Sequence, residues 1–70
     1  MQYTIESREL TEVHLRRTTV EARDADEAIS RFVRDSNSEL MSFTKLARGL
    51  ESIATVKKND ALFLVRVYTD

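Results

Sequence analysis

The sequence contains no cysteine, proline or tryptophan, and it has a single glycine and a single histidine in 70 residues. Without cysteine it can form neither a disulfide framework nor a thiolate metal site. Phosphate-binding loops and dinucleotide fingerprints need several glycines at fixed spacing, so one glycine excludes both. We therefore expect no cofactor and no metal.

Long hydrophobic runs are also missing. The longest apolar run covers residues 61–65, which suits a strand and falls far short of the ~20 residues of a membrane span. The first ten residues have no basic segment followed by an apolar run, so they predict no secretory signal. By elimination we expect a cytoplasmic protein.

Neither sign of charge dominates the chain. It has 11 basic and 12 acidic residues, for a formal net charge of −1. Nucleic-acid-binding domains usually carry a clear basic excess, so this charge balance argues against a general nucleic-acid-binding protein.

Hydrophobic residues make up 41% of the sequence, which is too many for intrinsic disorder. We expect residues 1–70 to form one small domain.

Two strands are predicted at the start of the chain. Residues 1–6 alternate apolar and polar side chains, a turn follows at 7–11, and residues 12–23 alternate again. In the second strand the apolar positions change parity near Arg17 and Thr18, which predicts a β-bulge or a break there.

A helix follows the second strand. Asp24 is a suitable N-cap, and Glu27 three positions later resembles a capping box. Apolar residues then recur on one helical face until the helix ends near residues 36–37. This pattern also accounts for the acidic cluster at the helix start, which needs no metal ion to explain it.

Residues 38–50 fit two structures. A strand would place Met41, Phe43 and Ala47 on one face. A helix would end at Gly49. Four apolar residues would then lie on one of its faces, namely Leu40, Phe43, Ala47 and Leu50. We favour the strand, because the first helix ends almost where a second would begin.

The end of the chain predicts a hairpin, with strands at 52–57 and 61–69 and a turn at 58–60. The fold class is therefore α+β, with a four- to five-stranded, mostly antiparallel sheet. The predicted order is β-β-α-β-β-β, and β-β-α-α-β-β with two helices is the alternative. The predicted core comprises Ile5, Val13, Leu15, Val20, Ala28, Ile29, Phe32, Val33, Phe63, Val65 and Val67.

The last strand is apolar on both faces, so it belongs in the middle of the sheet. One helix covers one face only. The other face then presents a candidate interface to a second copy of the chain or to another protein. Its predicted members are Leu62, Leu64, Tyr68 and Ile53.

Basic residues offer a second candidate surface. A nucleic-acid-associated accessory protein would need them clustered on one face to contact phosphates. The candidates are Arg8, Arg16, Arg17, Lys57 and Lys58.

An enzymatic function has the weakest support. His14, with Glu12 two residues away, is the one candidate general base, and no motif marks a nucleophile. We therefore expect a non-enzymatic protein without a small-molecule substrate.

Residues 20–29 resemble a strand-to-helix junction of many unrelated small α+β families, including archaeal ribosomal proteins and phage-encoded proteins. The resemblance covers ten residues and implies no functional residue, although it is compatible with a phage or mobile-element origin. The sequence contains no motif that identifies a specific function. The sequence favours a protein–protein interaction module, acting as a homodimer, adaptor or inhibitor.

Overall fold

A computed structural model describes residues 1–46 and 51–69. The described residues form one helix and five strands: β1 (Gln2–Glu9), β2 (Arg16–Glu21), α1 (Ala25–Asp35), β3 (Glu39–Lys45), β4 (Glu51–Lys58) and β5 (Ala61–Tyr68). All strand pairs are antiparallel, and the spatial order is β2-β1-β5-β4-β3.

This architecture confirms the predicted α+β class and the order β-β-α-β-β-β. The alternative of a helix after α1 is wrong over 39–45, which form β3. The positions proposed for Ala47, Gly49 and Leu50 lie outside the described residues.

The core lies between α1 and one face of the sheet. Ala28 and Ile29 of the helix are buried against central strand residues such as Ile5 and Val65. Burial of these side chains is the main force that holds the helix on the sheet. The complete buried hydrophobic set is Ile5, Ala22, Ala28, Ile29, Ala54, Val56, Val65 and Val67.

The predicted core positions of Val13 and Leu15 are wrong. Their exposed fractions are 88% and 55%, because β1 continues to Glu9 and the β1–β2 connection occupies 10–15. These two residues therefore alternate with polar neighbours outside any strand.

The strand predicted over 12–23 is broken near Arg17, as one alternative predicted, because β2 begins only at Arg16. The other alternative, a β-bulge, is wrong. The β1–β2 register runs without a shift from the Gln2 pair to the Ser7 pair. The apolar residues change from odd to even positions where β2 begins, at Arg16. A register shift occurs instead in β3, between Leu40 and Ser42.

Local signals define both ends of α1. The Glu27 N–H donates to Asp24 Oδ1 at 2.8 Å, and the Arg23 N–H donates to Glu27 Oε1 at 3.0 Å. This reciprocal arrangement resembles a capping box. At the other end, the Ser36 hydroxyl donates to the Phe32 carbonyl at 2.7 Å.

The β4–β5 hairpin turns at Asn59 and Asp60, within the turn predicted at 58–60, and Lys58 belongs to β4. Both residues have positive φ, 50° and 66°, as a two-residue type I′ turn requires. Their short polar side chains tolerate this backbone better than most residues do.

Replacing Asp24 with alanine removes the acceptor for the Glu27 N–H. We expect the free energy of unfolding to fall by about 1 kcal/mol in urea denaturation. Asp35→Ala is the matched control, since it makes the same charge change in the last helical turn and should stay within about 0.5 kcal/mol of the wild type. Equal losses in both variants would contradict the capping role.

Asp60→Gly tests the turn. Glycine adopts the positive φ of this position without steric strain, so thermal unfolding should occur at a higher temperature than in the wild type. Asp60→Ala should lower that temperature, because alanine lacks the freedom of glycine and adopts a positive φ less readily than aspartate does. Any other ranking of the three proteins would argue against a type I′ turn.

Candidate functional site

No described element covers the sheet face opposite α1, which we call the open face. Side chains alternate between the faces along each strand. The open face therefore carries the even-numbered residues of β1 and β5 and the odd-numbered residues of β2 and β4. The cross-strand pairs of these strands agree with this assignment.

Three of the four predicted interface residues form an exposed apolar group on the open face. Leu62, Leu64 and Ile53 are 41%, 40% and 36% exposed. Leu64 pairs with Thr55, and Ile53 lies two positions further along β4, diagonally across from Leu64.

Leu10 joins this group, although the sequence assigned it to a turn. Its N–H donates to the Leu62 carbonyl at 3.0 Å, which continues the β1–β5 register by one pair. Leu10 is 47% exposed. We call Leu10, Leu62, Leu64 and Ile53 the apolar patch. The side chains of residues 2–9 alternate between the two faces of the sheet. Continuing this alternation by one residue would have placed Leu10 on the open face.

A buried carboxylate occupies the centre of the open face. Glu6 is only 7% exposed, and it accepts hydrogen bonds from Arg17 Nε, from Arg66 Nη1 at 3.2 Å and from the Tyr68 hydroxyl at 3.2 Å. Such a charge is tolerated in a buried position because several donors replace its water.

Arg66 extends this cluster to the next strand. Its Nε and Nη2 donate to the two carboxylate oxygens of Glu51 on β4, in the bidentate manner that suits a guanidinium. The same guanidinium lies over the Tyr68 ring, 4.5 Å from the ring centre, as in a cation–π contact. We call Glu6, Arg17, Arg66, Tyr68 and Glu51 the Glu6 network.

Tyr68, the fourth predicted interface residue, is thus on the open face but is not a free apolar side chain. Arg66 covers its ring, and Glu6 binds its hydroxyl. The sequence could not show this, because Tyr68 and Glu6 are 62 positions apart.

The Glu6 network changes the acidity of its members. The hydrogen bond from Arg17 is the largest cause that holds the pKa of Glu6 below its ordinary value of 4.5, although burial opposes it. The hydrogen bond to Glu6 raises the pKa of Arg17, and the hydrogen bond to Glu51 raises that of Arg66. The network contains two carboxyl and two guanidinium groups, so its formal charges cancel.

The five basic residues predicted as a nucleic-acid patch do not share one surface. Arg8, Arg17 and Lys57 lie on the open face, whereas Arg16 and Lys58 line a cleft on the side of α1. Arg17 is engaged by Glu6. Arg8 Nη1 donates to the Glu12 carbonyl at 2.9 Å.

The cleft has a volume of about 730 Å³. It lies between the end of α1, the β1–β2 connection and the β4–β5 turn, and its lining includes Phe32, Phe63, His14, Arg16 and Lys58. Acidic residues also line it, so the charges around the cleft are mixed.

Within 1–46 and 51–69, no three His, Cys, Asp or Glu residues are grouped as metal ligands. No helix in these ranges is long and apolar enough to cross a membrane.

Comparison of the chain with protein-family models, curated proteins and solved structures finds no match.

Because the pKa of Glu6 is lowered on folding, its carboxylate stabilises the folded state above pH 4.5. This contribution is lost as the pH falls through the lowered value. We expect Glu6→Gln to be less stable than the wild type at neutral pH, and the difference to shrink in acid. Urea denaturation at a series of pH values measures it.

Glu12→Gln is the control for this experiment, since it removes a carboxylate outside the Glu6 network. A stability difference between wild type and Glu6→Gln that stays constant down to acidic pH would contradict the network's assigned role.

Proposed function

We propose that this protein is a non-enzymatic interaction module whose open face binds an apolar segment of another protein, flanked by acidic side chains. The observation that carries the proposal is the apolar patch, which spans β4, β5 and Leu10 just after β1 and lies beside a charge-balanced network.

The apolar patch has the properties of a docking surface. Its four members are between 36% and 47% exposed, and three of them lie on β4 and β5, which are paired over eight residue pairs. A surface held by such a register changes shape little on binding, which reduces the entropy lost in the complex.

Two cations border the apolar patch and define the chemistry of the partner. Arg8 is paired with Leu64 across β1 and β5, and Lys57 is paired with Leu62 across β4 and β5. Neither Arg8 nor Lys57 forms an ion pair with a residue that the structure describes. An apolar segment with carboxylates on both sides would bury the leucines and pair with these cations.

The same face suits a nucleic acid less well. Arg17 and Arg66 already bind Glu6 and Glu51, so a phosphate would have to compete with these carboxylates. Bases stack on exposed aromatic rings, but the Tyr68 ring lies beneath Arg66. The remaining basic candidates, Arg16 and Lys58, face away from this surface.

The double variant Leu62→Thr, Leu64→Thr tests the proposal. Threonine is compatible with a strand, so circular dichroism should show the wild-type fold while the apolar patch is lost. In a nuclease-treated lysate of the native host, the tagged wild type should retain a stoichiometric protein that the double variant retains at least tenfold less.

Val13→Thr is the matched control, because Val13 is 88% exposed and lies in the β1–β2 connection. It should retain the same protein as the wild type. Arg8→Glu with Lys57→Glu should weaken the capture, since it opposes the acidic flanks of the partner. Equal capture by all variants, or loss of the bound material on nuclease treatment, would overturn the proposal.

A further inference from the structure

β2 is an edge strand, and one set of its backbone groups points away from the sheet. The Ala22 N–H donates to the Met1 carbonyl at 2.9 Å, which identifies the hydrogen-bonded pairs of the β1–β2 register. Since such pairs alternate along an antiparallel ladder, Thr18 and Val20 also bond to β1. The N–H and C=O groups left on the outer side belong to Arg17, Thr19 and Glu21.

The two edges of the sheet differ in how they are protected. β3, at the opposite edge, has a register shift between Leu40 and Ser42, and such bulges hinder pairing with another strand. β2 keeps a continuous register over its whole length, and the chain has no proline to interrupt it. β2 is therefore the edge that can accept a further strand.

We propose that β2 pairs with β2 of a second copy of this chain, antiparallel, about a two-fold axis through Thr19. The axis is perpendicular to the sheet, so each open face continues into the other. In this register Thr19 faces Thr19 of the second copy, and Arg17 faces Glu21 of the second copy on both sides of the axis. All three outward-pointing residues of each strand then form backbone hydrogen bonds.

Charge selects this register. Arg17 is bound by Glu6 on one side, and Glu21 is bound by the N-terminal ammonium of Met1 at 2.8 Å. The pairing places Arg17 and Glu21 of the second copy opposite each other, so that charges alternate across the joined sheets. A shift by two residues would place Arg17 opposite Thr19 and lose these pairs. A shift by one residue would place Arg17, Thr19 and Glu21 opposite residues such as Thr18 and Val20, whose N–H and C=O groups already point to β1.

The inference is independent of the proposed docking function. It uses β2, whereas the apolar patch involves β4, β5 and Leu10, which follows β1. The resulting dimer would carry two apolar patches on one continuous ten-stranded surface and could engage two copies of a partner.

Thr19→Pro tests the pairing directly. Proline removes an N–H that points outward, so the β1–β2 ladder keeps its hydrogen bonds, and edge strands accept proline at such positions. Light scattering should give about twice the monomer mass of 8.1 kDa for the wild type, and the monomer mass for Thr19→Pro. Thr19→Val keeps the N–H and the branched side chain and should remain dimeric.

Charge variants and a structural measurement identify the register. In Glu21→Arg, the new arginine faces Arg17 of the second copy on both sides of the axis, so dimerisation should weaken about tenfold. Glu39→Arg on the β3 edge should leave dimerisation unchanged. In a sample mixed from labelled and unlabelled chains, an Hα–Hα NOE should connect Thr18 with Val20 of the second copy.

A wild type that remains monomeric at several hundred micromolar would overturn the inference. So would a dimer that persists in Thr19→Pro while that variant stays folded by circular dichroism. A dimer lost only in Leu62→Thr, Leu64→Thr would also overturn it, and would show that the open face itself binds the second copy.

Discussion

The described chain has one helix to cover a sheet with two faces. β5, the middle strand, has apolar residues on both sides, and α1 buries only those of one side, such as Val65 and Val67. The eleven-residue helix thus accounts for the core but leaves Leu62 and Leu64 in contact with solvent. An uncovered sheet face with apolar residues at its middle strand is a surface that another protein can cover.

The hydrogen bonds and ion pairs of the Glu6 network hold the strands together on the open face, where no second layer of structure packs against the sheet. It joins four adjacent strands, through Arg17 on β2, Glu6 on β1, Arg66 on β5 and Glu51 on β4. An isolated buried carboxylate would destabilise the fold, whereas this one has three donors and charged neighbours. The network links the strands to one another. Because its charges cancel, it does so without making the open face strongly acidic or basic.

The sequence predicted features that depend on near neighbours, including the Asp24 cap, the Asn59–Asp60 turn and the central position of the last strand. It failed where local pattern and tertiary structure disagree: Val13 alternates like a strand residue but lies in a connection, and Leu10 lies in register with β5 although its neighbours look like a turn. Part of the candidate site was predictable, since alternation places Leu62 and Leu64 on one face. The Glu6 network was not, because Arg66 and Glu6 are 60 positions apart and only the strand order β2-β1-β5-β4 brings them together.

The most direct test of the account is an NMR measurement of methyl line widths in Leu-, Ile- and Val-labelled protein during titration with nuclease-treated host lysate. If the open face binds another protein, the methyl signals of Leu62, Leu64 and Ile53 should broaden first, while that of Val13, which is more exposed than any of them, should stay sharp. Uniform broadening, or broadening that begins at Val13, would contradict the claim that the uncovered face of the sheet is the functional surface.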